Sequence, residues 1–182
     1  SYTVPFNQID LKSLPQVGGK NASLGEMFNK LHPLGIEIPD GFAVTVEGYR
    51  DFLVYNKLNQ PLKELLESID GKSLTNLPAI AVQCRTLVAN GILHKALKAG
   101  ILNSYQRLGA GDPQLHVAVR SSATAEDLPA ASFAGQHDSF LNISGEEALL
   151  KAILQCYVSL FNDRAIKYRI DGVLHYAMPP IA

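Results

Sequence analysis

Between Pro61 and Gly109, apolar residues recur at helical spacing in three successive stripes, and at Leu115 the period switches to two. Leu62, Leu65, Leu66 and Ile69 form the first stripe. Ile80, Cys84, Leu87 and Val88 form the second, with Gly91 placed as a C′ residue beyond its helix. Leu93, Leu97, Ile101, Tyr105 and Leu108 form the third. Leu115, Val117 and Val119 then alternate with His116 and Ala118, which is the pattern of a half-buried strand. A chain with this switch is neither an all-helical bundle nor a β-sandwich. The expected class is α/β (α+β). Strands near Phe42, Val117 and Phe140 are expected to form a small mixed sheet covered by helices, with residues 61–109 packed beside it as a helical subdomain.

The flanking segments fit the same class. Leu24, Met27, Phe28 and Leu31 follow helical spacing and predict a helix from Asn21 to His32, ended by Pro33 and Gly35. Gly41 to Val44 reads as a short strand. Thr45 then caps a helix that buries Tyr49, Phe52 and Leu53. Beyond Arg120, a loop runs through Ser121-Ser122-Ala123-Thr124-Ala125-Glu126-Asp127-Leu128-Pro129 to Ala134-Gly135-Gln136. A second strand, Ser139 to Ile143, follows. Ser144 and Glu147 have the spacing of a capping box and introduce a long helix carrying Leu149, Leu150, Ile153, Leu154, Tyr157, Val158 and Phe161. Its continuation is expected to stop at Gly172, so residues 115–172 hold the Arg120 loop and the long helix together.

Composition narrows the function classes. At 182 residues and 47% hydrophobic, the chain is long and apolar enough to fold around a core. Its 18% charge lies below the average of about 25%, as expected for a surface partly covered by other protein. A net charge of -1 argues against a nucleic-acid binder that relies on basic residues. No apolar run approaches the roughly 18 residues of a membrane span. Neither a basic n-region nor an apolar h-region opens the chain, so no signal peptide is expected. The missing initial Met and the abrupt Pro179-Pro180-Ile181-Ala182 end fit an excised or processed piece. Cys84 and Cys156 both fall in apolar helical patterns and read as buried thiols in a reducing, cytoplasmic setting.

Two places carry candidate chemistry. In Val17-Gly18-Gly19-Lys20-Asn21-Ala22-Ser23, a glycine pair allows a sharp turn and close backbone approach immediately before a helix N-terminus. Lys20 adds a full positive charge there. The spacing is not that of a Walker A motif, so a phosphate cradle and a plain Gly-Gly turn with a solvated lysine both stand. At the second place a strand ends in Arg120 and opens onto Ser121, Ser122 and Thr124. The guanidinium suits bidentate contact with phosphate, and the hydroxyls add donors. Alternatively, Arg120 pairs with Glu126 or Asp127 and the hydroxyls cap turns. The five histidines, His32, His94, His116, His137 and His175, show no metal-ligand spacing, and no metal-binding residue is assigned.

Val17-Gly-Gly-Lys-Asn-Ala-Ser-Leu-Gly-Glu-Met27, Val119-Arg-Ser-Ser-Ala-Thr-Ala-Glu-Asp-Leu-Pro129, Ala131-Ser-Phe-Ala-Gly-Gln136 and Ser159-Leu-Phe-Asn-Asp-Arg-Ala165 together resemble the pyruvate phosphate dikinase-type ATP-binding domain. That family is shared by phosphoenolpyruvate synthases, pyruvate phosphate dikinase and rifampicin phosphotransferase, and Asn21-Ala22-Ser23 favours the synthases. The resemblance covers about residues 15 to 170. It implies the first lobe of an ATP-grasp-like domain, with ATP held between two lobes. Lys20 and Arg120 become the catalytic, phosphate-neutralising pair. Ser121, Ser122, Thr124, Gly135 and Gln136 join them in binding ATP. The implied reaction turns ATP, pyruvate and water into AMP, phosphoenolpyruvate and phosphate through a phosphohistidine on another domain. Magnesium ligands, the histidine domain and the pyruvate site are expected outside this chain, which alone is expected to be inactive. The same resemblance also admits a rifampicin phosphotransferase or another dikinase, and a shared fold admits a non-catalytic nucleotide-binding module.

Overall fold

The structure, a computed structural model, describes residues 1–122 and 139–171. Among these residues, four strands and eight α-helices lie in the order β1 (Thr3–Pro5), α1 (Leu14–Val17), α2 (Gly19–Leu31), β2 (Phe42–Val44), α3 (Val46–Tyr55), α4 (Asn59–Glu67), α5 (Leu77–Ala89), α6 (Lys95–Gly109), β3 (His116–Arg120), β4 (Ser139–Ser144), α7 (Glu146–Ser159) and α8 (Asp163–Asp171). The helices and small sheets make a mixed α+β architecture. Among the described residues the expected single mixed sheet does not form. Two separate antiparallel pairs do: β1 with β2, and β3 with β4. The N-terminal residues Thr3 to Pro5, which the hydrophobic pattern does not mark, supply the partner for β2.

Two hydrophobic cores result. The larger gathers Tyr49, Phe52, Leu62, Cys84, Val88, Leu97, Ile101, Tyr105, Ile153 and Phe161, so the three helices of residues 61–109 share one interior with α3 and α7. The smaller holds Phe6, Ile9, Val17, Ala22, Phe28 and Ala43. Strand β2 stands between them. Its period of two sends Phe42 and Val44 to the larger core and Ala43 to the smaller.

Helix α2 follows its expected span, but its buried face differs. Met27 is exposed, and Ala22, Gly25 and Phe28 point inward. The cause is close packing on Ile9: a Cβ at Gly25 would lie 2.5 Å from the Ile9 Cβ and 2.6 Å from its carbonyl oxygen. Asn29 fastens the same face by donating from Nδ2 to the carbonyls of Phe6 and Ile9. Thr45 caps α3 as expected, accepting from the Gly48 amide at 3.3 Å. Gly91 is needed for space rather than as a left-handed cap, because its φ is not positive. A Cβ there would strike the Phe52 ring at 2.5 Å. The expected capping box at Ser144 is absent. Gly145, at φ +89°, is the N-cap of α7, and the Ser144 hydroxyl donates to the Gln114 carbonyl at 2.7 Å.

The β3–β4 ribbon breaks register between Val117 and Val119. Val119 faces Phe140 while Val117 faces Ile143, so β4 carries one extra residue, and Asn142 there adopts φ +55°. Such a bulge lets Phe140 and Ile143, three apart, lie half-buried together. The end of the ribbon away from Arg120 is pinned by Tyr105 of α6. Its hydroxyl donates to the Leu115 carbonyl at 2.6 Å and accepts from the Gly145 amide at 3.0 Å. Tyr105→Phe leaves both backbone groups without this partner and is expected to destabilise the fold by about 1–3 kcal/mol. Urea unfolding measures it, and a midpoint equal to that of the parent chain refutes the pin.

Candidate functional site

The site is built where the two cores approach. Helix α1 ends at Val17, which is buried in the smaller core. Gly18 then turns the chain with φ +82° and ψ 164°, a conformation that side chains with a Cβ rarely adopt. Helix α2 starts at the next residue, with Gly18 as its N-cap. A glycine cap has no side-chain oxygen, so the first-turn amides need an acceptor from elsewhere.

That acceptor comes from the strand that ends in Arg120. Ser121 and Ser122 follow β3 directly and are buried to 2% and 1% exposure, rare for hydroxyl-bearing residues. The Ser122 Oγ accepts a hydrogen bond from the Asn21 amide at 3.2 Å. It therefore does for α2 what an N-cap serine ordinarily does from within the chain, but across 101 residues of sequence. Asn21 Nδ2 in turn donates to the Val17 carbonyl at 3.0 Å, bracing the turn from the α2 side. Gly18 makes the approach possible. A Cβ there would fall 2.3 Å from the Ser122 carbonyl oxygen and 2.5 Å from its Oγ.

The two candidate motifs of the sequence are thus one place in the fold. Lys20 is half-buried on the first turn of α2, next to Asn21. Arg120 is exposed at the last position of β3, opposite Ser139 and two residues before Ser122. Ser121 Oγ is buried with no hydrogen-bond partner among the described residues. Thr124, Gly135 and Gln136 lie outside the described residues, as do Glu126, Asp127, His137, His175 and Gly172. The sequence marks Lys20, the serines and the turn at the glycine pair, but not that Gly18 seats on Ser122 or that Asn21 binds it. Their signal was a glycine pair leading into a helix that has no Ser, Thr, Asp or Asn at its N-cap.

Among the described residues the charges here favour an anion. The N-terminus of α2 carries partial positive charge, no acidic residue occupies its first turn, and Lys20 and Arg120 carry formal charges one and two residues from the ends of the Asn21–Ser122 bond. Such an arrangement can hold and partly neutralise a phosphate. For a divalent cation the described residues do not fit: no group of three His, Cys, Asp or Glu side chains among them is placed to hold a metal ion. Elsewhere, His94 uses Nδ1 to accept from the Leu97 amide and so caps α6, and His32 stacks on Phe28. Cys84 and Cys156 are buried and neither forms a disulfide; burial pushes the Cys84 thiol above its ordinary pKa. No helix among the described residues is long and apolar enough to cross a membrane.

A mixed α+β domain with a glycine turn, a helix N-terminus and two cations at one seam has the make-up of a phosphate-binding module. Comparison with known proteins specifies the family. Residues 14–178 match the family described as "Pyruvate phosphate dikinase, AMP/ATP-binding domain". The phosphoenolpyruvate synthase of Escherichia coli (strain K12) is 44% identical over 91% of this chain and 21% of its own length. That of Helicobacter pylori is 46% identical over 90% of this chain and 20% of its own length. A probable phosphoenolpyruvate synthase of Methanocaldococcus jannaschii is 40% identical over 90% of this chain and 14% of its own length. The chain belongs to the pyruvate phosphate dikinase AMP/ATP-binding domain family, and it spans about a fifth of the length of the first two of these relatives.

Gly18→Ala adds both backbone strain and an overlap with backbone atoms of Ser122. The overpacking alone is worth about 1–3 kcal/mol, and the unfavourable φ about 1–3 kcal/mol more. Calorimetry of the variant is expected to show a clear loss of stability, and a melting temperature within a degree of the parent contradicts the close approach.

Proposed function

We propose that this chain supplies the phosphate-binding half of an ATP site in a phosphoenolpyruvate synthase. The single observation that carries the reading is the hydrogen bond from the Asn21 amide, just after the Gly18-Gly19-Lys20 turn, to the Ser122 hydroxyl beyond the Arg120 strand end. In this reading the chain is the first lobe of an ATP-grasp-like domain, with residues 61–109 as its helical subdomain and residues 115–172 as the Arg120 loop and long helix. The second lobe follows in the longer protein. Some of the sparsely charged surface of this lobe is the face that meets it.

Lys20 and Arg120 act as the catalytic cations. Phosphoryl transfer needs little covalent help from protein and much neutralisation of charge on the moving group. Lys20 brings a compact ammonium from the helix side, and Arg120 a planar fork from the strand side. The N-terminus of α2 adds its partial charge. Ser121, Thr124, Gly135 and Gln136 complete the nucleotide contacts. Magnesium, which spreads phosphate charge when bound, takes its ligands from outside this chain. The overall reaction consumes ATP, pyruvate and water and yields AMP, phosphoenolpyruvate and phosphate. Its phosphohistidine and its pyruvate site lie on other domains of the same longer protein. The two buried thiols suit a reducing, cytoplasmic setting.

The test is made in the full-length protein. Lys20→Ala and Arg120→Ala are each expected to cost at least about 2–3 kcal/mol of transition-state stabilisation, the typical cost of removing one charge-stabilising donor. Pyruvate-dependent formation of AMP from ATP reads the loss through kcat/KM. If both variants turn over nearly as fast as the parent, the catalytic reading fails. Phosphoryl transfer to rifampicin in place of pyruvate reassigns the acceptor and leaves the ATP site standing.

A further inference from the structure

The two proposed cations belong to different cores. Lys20 rides on α2, whose Ala22 and Phe28 pack in the smaller core. Arg120 ends β3, whose Val117 and Val119 pack against the larger one. Strand β2 packs against both cores. At the site itself the two motifs are joined directly by the Asn21–Ser122 hydrogen bond and the seating of Gly18 on Ser122, within two residues of Lys20 and of Arg120.

We propose that Ser122 is a positioning residue: its hydroxyl caps α2 from across the seam and so sets Lys20 and Arg120 in register on one phosphate group. The proposal rests on the ATP-site reading above and goes beyond it in assigning Ser122 to alignment rather than to nucleotide contact. Burial supports this assignment. At 1% exposure, the Ser122 hydroxyl is spent on a backbone amide inside the seam. The chemistry supports it as well. Glycine at the N-cap leaves the first turn without an acceptor of its own, and Asn21 is at the third helical position, where an N-cap side chain ordinarily binds. A misplacement of about 1 Å at a reacting group can lower the rate about a hundredfold, so a bond that sets spacing carries kinetic weight beyond its own strength.

The test uses Ser122→Ala in the full-length protein, with Ser122→Gly as a second variant that removes the same acceptor and adds no atoms. Amide hydrogen exchange over residues 17–24 reads the tie independently of any activity. Exchange at the first turn of α2 is expected to rise about tenfold in both variants, a factor equivalent to about 1.4 kcal/mol and within the range for losing a cap. Pyruvate-dependent AMP formation is expected to fall tenfold or more in kcat/KM. In a Lys20→Ala background the same Ser122 substitution is expected to cost less than threefold, because the group it positions is gone. Unchanged exchange overturns the tie. Raised exchange with turnover within twofold of the parent overturns the positioning role. An equal cost in the parent and Lys20→Ala backgrounds also overturns it, since Ser122 then acts on the nucleotide or on the fold alone. Failure of the ATP-site reading shows separately, as Lys20→Ala and Arg120→Ala enzymes that retain turnover.

Discussion

The Asn21 amide and the Ser122 hydroxyl are 3.2 Å apart, and the geometry of the candidate site depends on that contact. Its net energy is modest, on the order of 1 kcal/mol as for most internal hydrogen bonds. Its effect on arrangement is larger. The bond joins a helix start and a strand end 101 residues apart in sequence, in a place where only glycine fits at position 18. The chain around it follows from this requirement. Gly18 must turn with positive φ, α2 must begin without a side-chain cap, and two serines must be buried at the exit of β3.

Larger elements stabilise this seam from both sides. On the larger core, Tyr105 holds the end of the β3–β4 ribbon away from Arg120 through one hydroxyl, and the bulge at Asn142 aligns Phe140 with Ile143 on the inward face. On the smaller core, α2 is fastened by Gly25 against Ile9, by Asn29 on two carbonyls, and by Glu26, whose carboxylate accepts from the Leu11 amide and pairs with Lys30. The Lys30 bond and the Leu11 amide hold Glu26 below the usual carboxylate range. In the larger core, Arg169 of α8 lies over the Phe161 ring, its centre 5.2 Å from the centroid, and donates to the Leu160 carbonyl. Burial lowers its pKa from the ordinary guanidinium value.

Much of this was legible in the sequence where periodicity carried the signal. The spans of α2 and α3, and the strand that delivers Arg120, follow from apolar spacing, because burying one face is what forms them; the long helix expected through Phe161 instead stops at Ser159, and α8 begins at Asp163. What was missed depends on contacts between distant segments. Strand β1 is three residues with little pattern of their own, made a strand by pairing with β2. Met27 fits a helical stripe yet faces solvent, because Ile9 occupies the space beside Gly25. Ser144 has capping-box spacing yet donates to Gln114, a partner 30 residues away. At the site, the types Gly, Lys, Arg and Ser were readable, and so was their suitability for phosphate. That Ser122 caps α2 was not, since the missing N-cap side chain signals a need and not its supplier.

Holding the two cations close before a ligand arrives has a thermodynamic consequence for the proposed site. A phosphate that touches both Lys20 and Arg120 gains most when the two already lie near one another, because less of its binding energy is then used to bring them together. The Asn21–Ser122 bond and the close seat of Gly18 on Ser122 supply part of that arrangement within the chain itself. In the proposed reading, the buried serine thus acts by preorganisation: its contribution to binding is the alignment that the ligand no longer has to impose.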